Sequence, residues 1–209
     1  MAITFPRALP STMLIDQVNF GTNNIVGRAT SEFSGKGKTQ EFSGQWWTAK
    51  IIVSPSERED AAPVAAWLTS LKGKSKTFLL GDPGASSARG SASVTPGTPL
   101  VDGAAQTGDA LLCKGGPLSA TGYLLEGDYV QLGSGASTRL HMVLQDVNTD
   151  GAGDFSLTLW PDLRDSPGDG DTLVVDATTG LFTLASNSQG WDLSEIIYGF
   201  SFDAVESLY

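Results

Sequence analysis

The sequence predicts a mainly β protein, in which one discontinuous β domain carries a smaller inserted β domain. Three observations support this. The chain spreads 25 glycines and 10 prolines over 209 residues, as many short elements joined by tight turns would require. Its apolar residues alternate with polar ones in short runs between turn signals, the period of a half-buried strand. The composition changes at Gly81–Asp82–Pro83, and the N-terminal pattern returns near residue 181. The expected domains are 1–82 together with 181–209, and 83–180.

Ile3 and Phe5 are apolar anchors ahead of a strand from Met13 to Phe20. Ile25–Phe33 and Lys38–Gly44 read as a hairpin around the Gly-containing turn Ser34–Gly37. Gln45–Val53 is a stronger strand. One face of it (Trp47, Ala49, Ile51, Val53) is core, and the other (Trp46, Thr48, Lys50, Ile52) is mixed. A helix follows. Ser56 and Glu59 have the capping-box spacing, and Pro63 fits best in a first turn, which puts the helix start near Asp60. Val64, Trp67, Leu68 and Leu71 form its apolar face, and Gly73 stops it. Thr77–Leu80 restarts a strand.

Residues 83–107 are rich in Gly, Ser, Ala, Thr and Pro and read as loop. Short runs follow at Leu111–Lys114, Tyr129–Leu132, Arg139–Val147, Phe155–Trp160 and Thr172–Asp176. Their regular spacing suits a small barrel or sandwich. Finally, Ile196, Tyr198, Phe200, Phe202 and Ala204 alternate with smaller or polar neighbours. That half-buried strand needs a sheet to join, and the N-terminal segment is the natural host.

Composition excludes several classes of function. Hydrophobic residues make up 40% of the chain, too many for a disordered protein. The net charge is −10, and residues 83–180 hold 12 acidic and 4 basic side chains, so duplex DNA is repelled rather than bound. The start lacks a basic region followed by an apolar run, and no apolar stretch is long enough to span a bilayer. Cys113 is the single cysteine and forms no internal disulfide. The expectation is a soluble protein made in a cytoplasm.

The chemical motifs are fragments. Gly35–Lys36–Gly37–Lys38–Thr39 resembles the end of a phosphate-binding loop, but Glu32 stands where that pattern needs glycine. Asp146, Asn148, Asp150 and Gly151 match the first half of a calcium loop. Asp154 is a further oxygen donor, but Leu157 replaces the closing glutamate, so an Asn/Asp/Gly turn is the plainer reading. Gly133–Ser134–Gly135 is a tight turn. His141 is the only histidine and is expected on the wetter face of its strand. The carboxylate pairs Glu126/Asp128 and Asp162/Asp165 are ordinary in so acidic a chain. These fragments lead to no catalytic site and no cofactor.

Six segments, in order, resemble proteins of tailed-phage tails. They are Phe5–Pro10, Gly44–Gln45–Trp46–Trp47 with the helix after it, Thr77–Pro83, Gly127–Gly133, Leu159–Arg164 and Leu181–Ala185. Together they span essentially the whole chain, which is similar to the siphophage distal tail protein family, some of whose members are described only as minor tail proteins. The resemblance implies a non-enzymatic virion protein forming a ring, usually hexameric, that connects the tail tube to the tail-tip or baseplate complex. It also implies a β-sandwich ring domain with one short helix, plus a projecting β-barrel or sandwich, OB-like or galectin-like. The implied partners are further copies of the chain, the tube protein and the tail-tip hub or baseplate proteins. DNA would pass through without specific binding, and no membrane would be entered. On that reading Trp46, Thr48, Lys50 and Ile52 are candidates for a subunit contact. The hairpin residues Arg28, Lys36 and Lys38 are candidates for the lumen, and they make it locally basic. The rival expectation is a carbohydrate-binding β module for host adhesion, with Trp160 or Tyr129 as candidates to stack on a sugar, although core or interface packing is the expected role of both. A hydrolase working through paired carboxylates is a third reading.

Overall fold

A computed structural model describes residues 3–208; residues 1, 2 and 209 of the expected discontinuous domain lie outside the described residues. Strands β1 (Ile15–Thr30) and β2 (Gly37–Glu57) form one long antiparallel hairpin, with Ile15 opposite Val53 and Thr30 opposite Gly37. Each strand therefore joins two of the expected runs. The polar stretch Gly21–Asn24 does not break the hairpin, because it stays paired with Gln45–Thr48. On β2, Trp47, Ala49, Ile51 and Val53 are buried and the alternate residues face away.

Strand β2 runs directly into helix α1 (Arg58–Ser70). The capping box expected at Ser56 and Glu59 does not form. Glu57 is the N-cap residue without a side-chain cap bond, and Ser56 is held in the strand opposite Tyr198. The helix thus starts two residues before Asp60 and contains Pro63. Pro63 and Glu59 lie on the exposed side, where water can take the carbonyl that the missing N–H leaves unpaired. Ala61, Val64, Trp67 and Leu68 face inward. The indole of Trp67 donates to the Ala8 carbonyl at 2.9 Å, which ties the N-terminal segment over the helix. Lys72 and Gly73 both take left-handed backbone (φ 51° and 63°) and turn the chain into β3 (Thr77–Leu80).

The next six strands are β4 (Leu100–Val101), β5 (Gly108–Lys114), β6 (Tyr129–Leu132), β7 (Arg139–Val143), β8 (Phe155–Leu163) and β9 (Leu173–Val174). Their antiparallel order is β4-β5-β8-β7-β6-β9. The two end strands meet through Val101 N–H to the Asp171 carbonyl at 2.8 Å and Leu173 N–H to the Pro99 carbonyl at 3.0 Å, which nearly closes the sheet into a barrel. Leu111, Cys113, Tyr123, Val143 and Leu157 belong to the core inside it. Two of the expected strands are shorter here. The run from Arg139 ends at Val143, and the Thr172–Asp176 run narrows to Leu173–Val174.

The chain then returns through β10 (Gly180–Leu184), β11 (Trp191–Ser194) and β12 (Ile197–Glu206). The first sheet has the order β1-β2-β12-β10-β3, with β11 also paired to β12. Its strands come from both sides of the barrel segment. The two crossings touch at Gly81, where an added Cβ would fall 2.1 Å from the Thr178 carbonyl oxygen; only glycine allows that approach. Phe200, Phe202 and Ala204 are buried as the alternation predicts, whereas Ile196 stands in solvent at the tip of the last hairpin.

Candidate functional site

The barrel and the sheet meet along a seam built on Trp47. Its indole N–H donates to the Leu140 carbonyl at 2.9 Å, and its ring stands edge-on to Trp160 at 4.5 Å between centroids. Tyr129 and Phe20 flank it at 5.7 and 6.0 Å. Leu140 and Met142 point out of the barrel into this shared core, while Val143 points into the barrel. Beside the rings, Arg164 of the barrel side holds Glu206 of β12 through two bonds of 2.8 and 3.0 Å. Glu206 also accepts the Trp47 N–H at 3.0 Å, and Gln45 accepts the Asp162 N–H at 2.7 Å. Trp160 reaches back to Asn24 at 2.9 Å. Tyr129 and Trp160, the sugar-stacking candidates of the rival reading, are instead packed at the seam: Tyr129 is buried, and Trp160 is half-buried against Trp47.

Beyond the seam, β1 and β2 continue alone. Strand β12 pairs with β2 only from Thr48 to Glu57, so residues 25–44 form a two-stranded arm about 25 Å long at the usual strand rise. Ile25 lies across Gly44, where a Cβ would fall 2.5 Å from its Cδ1, and Phe42 lies across Gly27. Ile25, Val26, Phe33 and Phe42 are all exposed on this arm. Arg28, Lys36 and Lys38 are exposed along the same arm, with Arg28 opposite Thr39 and Lys38 opposite Ala29. The Gly35–Thr39 phosphate-loop fragment is the turn and first pairs of this hairpin, with no helix after it to receive an anion.

Trp46, Thr48, Lys50 and Ile52 share the outer face of β2. Lys50 is exposed and the other three are half-buried. Thr48 and Lys50 border a cavity of about 480 Å³ that Ala49, Ala185, Ala204 and Val205 also line. Lys50 stands opposite Asp203 on β12.

The candidate cation loop is a turn. The Asp146 carboxylate accepts the Glu126 N–H, Asn148 accepts the Gly122 N–H, and one Asp150 oxygen accepts the Ala152 and Asp154 N–H groups. Those bonds hold the Asp150 carboxyl below its ordinary range. The oxygens of Asp146, Asn148 and Asp150 are aimed at separate backbone amides rather than at one point. Among the described residues no group of three His, Cys, Asp or Glu side chains could hold a metal ion. Of the carboxylate pair Glu126/Asp128, Asp128 is buried and pairs with Arg89 at 3.2 Å.

His141 is buried, not on a wet face. Its Nδ1 lies 2.7 Å from the Pro161 carbonyl, and burial pushes its pKa down to about 4. Alternation sets it opposite Met142, but β7 is packed on both faces, between the barrel interior and the seam. His141 borders a cavity of about 240 Å³ that also meets Arg139, Arg164 and Asp165. A two-residue period assigns sides to a strand; it does not say that both sides are covered.

No helix among the described residues is long and apolar enough to cross a membrane. Comparison with protein-family models and with curated protein sequences finds no match.

Proposed function

We propose that this chain is a structural subunit of the ring at the distal end of a long-tailed phage's tail. In this reading the ring joins the tail tube to the tail-tip or baseplate complex and surrounds the DNA channel. One observation carries the reading. The chain extends a 25–44 arm about 25 Å past its own sheet and exposes Ile25, Val26, Phe33 and Phe42 on it. A lone two-stranded ribbon is marginal in water, and apolar side chains along it gain most when another chain buries them. The six-segment resemblance to distal tail proteins supports the same reading.

The partners are then neighbouring copies, the tube protein and the hub or baseplate proteins. The arm that carries Arg28, Lys36 and Lys38 runs between neighbouring copies toward the lumen, and DNA passes without sequence-specific binding. Trp46, Thr48, Lys50 and Ile52 face a neighbour. The seam at Trp47 and Arg164 fixes the barrel relative to the ring-forming sheet. The role is that of a virion component, without catalysis or a cofactor.

Negative-stain imaging of the purified protein, with its mass in solution, tests this. Closed rings with a central hole support it and count the subunits. A chain that stays monomeric at every concentration reached overturns it.

A further inference from the structure

The two ends of the first sheet carry unlike exposed surfaces. At one end is the arm, with Ile25, Phe33 and Phe42 in solvent and Arg28, Lys36 and Lys38 set against Glu32 and Glu41. At the other end β11 turns into β12, with Ser194 opposite Ile197 and Ile197 opposite Glu57, the last residue of β2. This corner exposes Trp191, Leu193 and Ile196, and its charge is acidic. Asp192 and Glu195 lie on the hairpin, and Glu57, Glu59 and Asp60 lie where β2 becomes α1, opposed by Arg58. Arm and corner therefore sit at opposite ends of one strand, both apolar and opposite in charge balance.

We propose that the arm of one copy seats on the β11–β12 corner of the next copy, a contact that rests on the ring reading and specifies its interface. Two corners meeting would place like charges together at close range, and two arms, each with three cations set against two carboxylates, would gain no net attraction. An arm meeting a corner covers apolar surface on both sides and pairs Lys36 and Lys38 with Asp192 and Glu195. Because the two patches are different surfaces at opposite ends of the first sheet, the contact is head-to-tail. Such contacts close into a ring when the rotation from copy to copy completes a full turn, and run on as a filament when it does not. A partner of another kind would have to match the same charge pattern without supplying the same closure.

A charge swap tests the contact. One variant carries K36E and K38E, and the other carries D192K and E195K. All four positions are exposed in the folded chain, so each variant should keep the wild-type circular dichroism and melting temperature. Self-association is read by sedimentation and negative-stain imaging at low salt. Each variant alone now sets like charges against each other at the four paired positions and should associate at least tenfold more weakly than the wild type. An equimolar mixture restores both pairings, in alternating order, and should recover the wild-type assembly. If each variant assembles as well as the wild type, the arm–corner contact is wrong while the ring survives on another surface. If the mixture fails to recover, the contact is likewise overturned. A wild-type protein that is monomeric throughout removes both the contact and the ring.

Discussion

Arg164 grips Glu206 with both terminal guanidinium nitrogens, at 2.8 and 3.0 Å, where the end of barrel strand β8 meets the last strand of the sheet. The Glu206 side chain is 1% exposed and also accepts the Trp47 N–H. Removing the arginine leaves a buried carboxylate held by a backbone amide and no cation. Arg164→Ala should therefore lower unfolding free energy by about 3–5 kcal/mol, the usual cost of orphaning a buried charge. Arg164→Lys keeps the charge but loses the fork, and should fall between the two. Urea titration of the three proteins measures this. A loss below about 1 kcal/mol for the alanine variant would mean that the seam does not depend on this pair.

His141 sits behind that pair. Burial is the main reason that its pKa falls to about 4 from an ordinary 6.5; Arg164 and Arg139 push the same way, and Glu206 and the Pro161 carbonyl push back. The unfolded chain takes up the proton first as pH drops. The stabilisation is therefore complete above pH 6.5 and declines as pH falls through the window down to 4, by about 3 kcal/mol in all. His141→Gln has no proton to gain, so its stability should decline less steeply across that window. Carboxylates titrate in both proteins, so the difference between the two curves isolates the histidine. Parallel curves would contradict its assignment as a buried neutral group.

Cys113 packs in the barrel core at 1% exposure, and burial, aided by the charge of Asp102, pushes its thiol up to about 12. Thiolate is the reactive form, so at pH 8 the folded protein should scarcely react with a thiol reagent. In denaturing urea one equivalent should react within the dead time of the assay. Reaction in the absence of urea would show that the barrel opens readily.

Much of this fold is legible from two-residue alternation. The buried face of β2 and the Phe200–Phe202–Ala204 face of β12 are both readable, because each strand covers one side only. The same rule misplaces His141, since β7 serves two cores at once. The capping-box spacing at Ser56 also misleads. A strand–helix junction spends that backbone on pairing with Tyr198, and local chemistry cannot register a strand that arrives some 140 residues later. The Asp146–Asp154 turn is readable as a turn, and its oxygens go to amides as such loops require. The seam is not readable. Trp47 and Trp160 are each visible as aromatic residues, but nothing local places one against the other.

Phe33 separates assembly from folding most cleanly. Its relative exposure is 103%, so no other part of the chain shelters it. A Phe33→Ser change should leave monomer stability within about 0.5 kcal/mol of the wild type, as for other substitutions at unsheltered surface positions. If the arm is buried by a neighbouring copy, the same change removes an aromatic anchor from that contact, where truncation costs about 2 kcal/mol or more at a well-buried position. Self-association should then weaken by about thirtyfold at constant melting temperature. Equal loss of both properties would place Phe33 in the fold of the monomer. Unchanged self-association would mean that the neighbour does not cover the tip of the arm, and the contact would have to lie nearer Ile25 and Phe42, where the ribbon leaves the sheet.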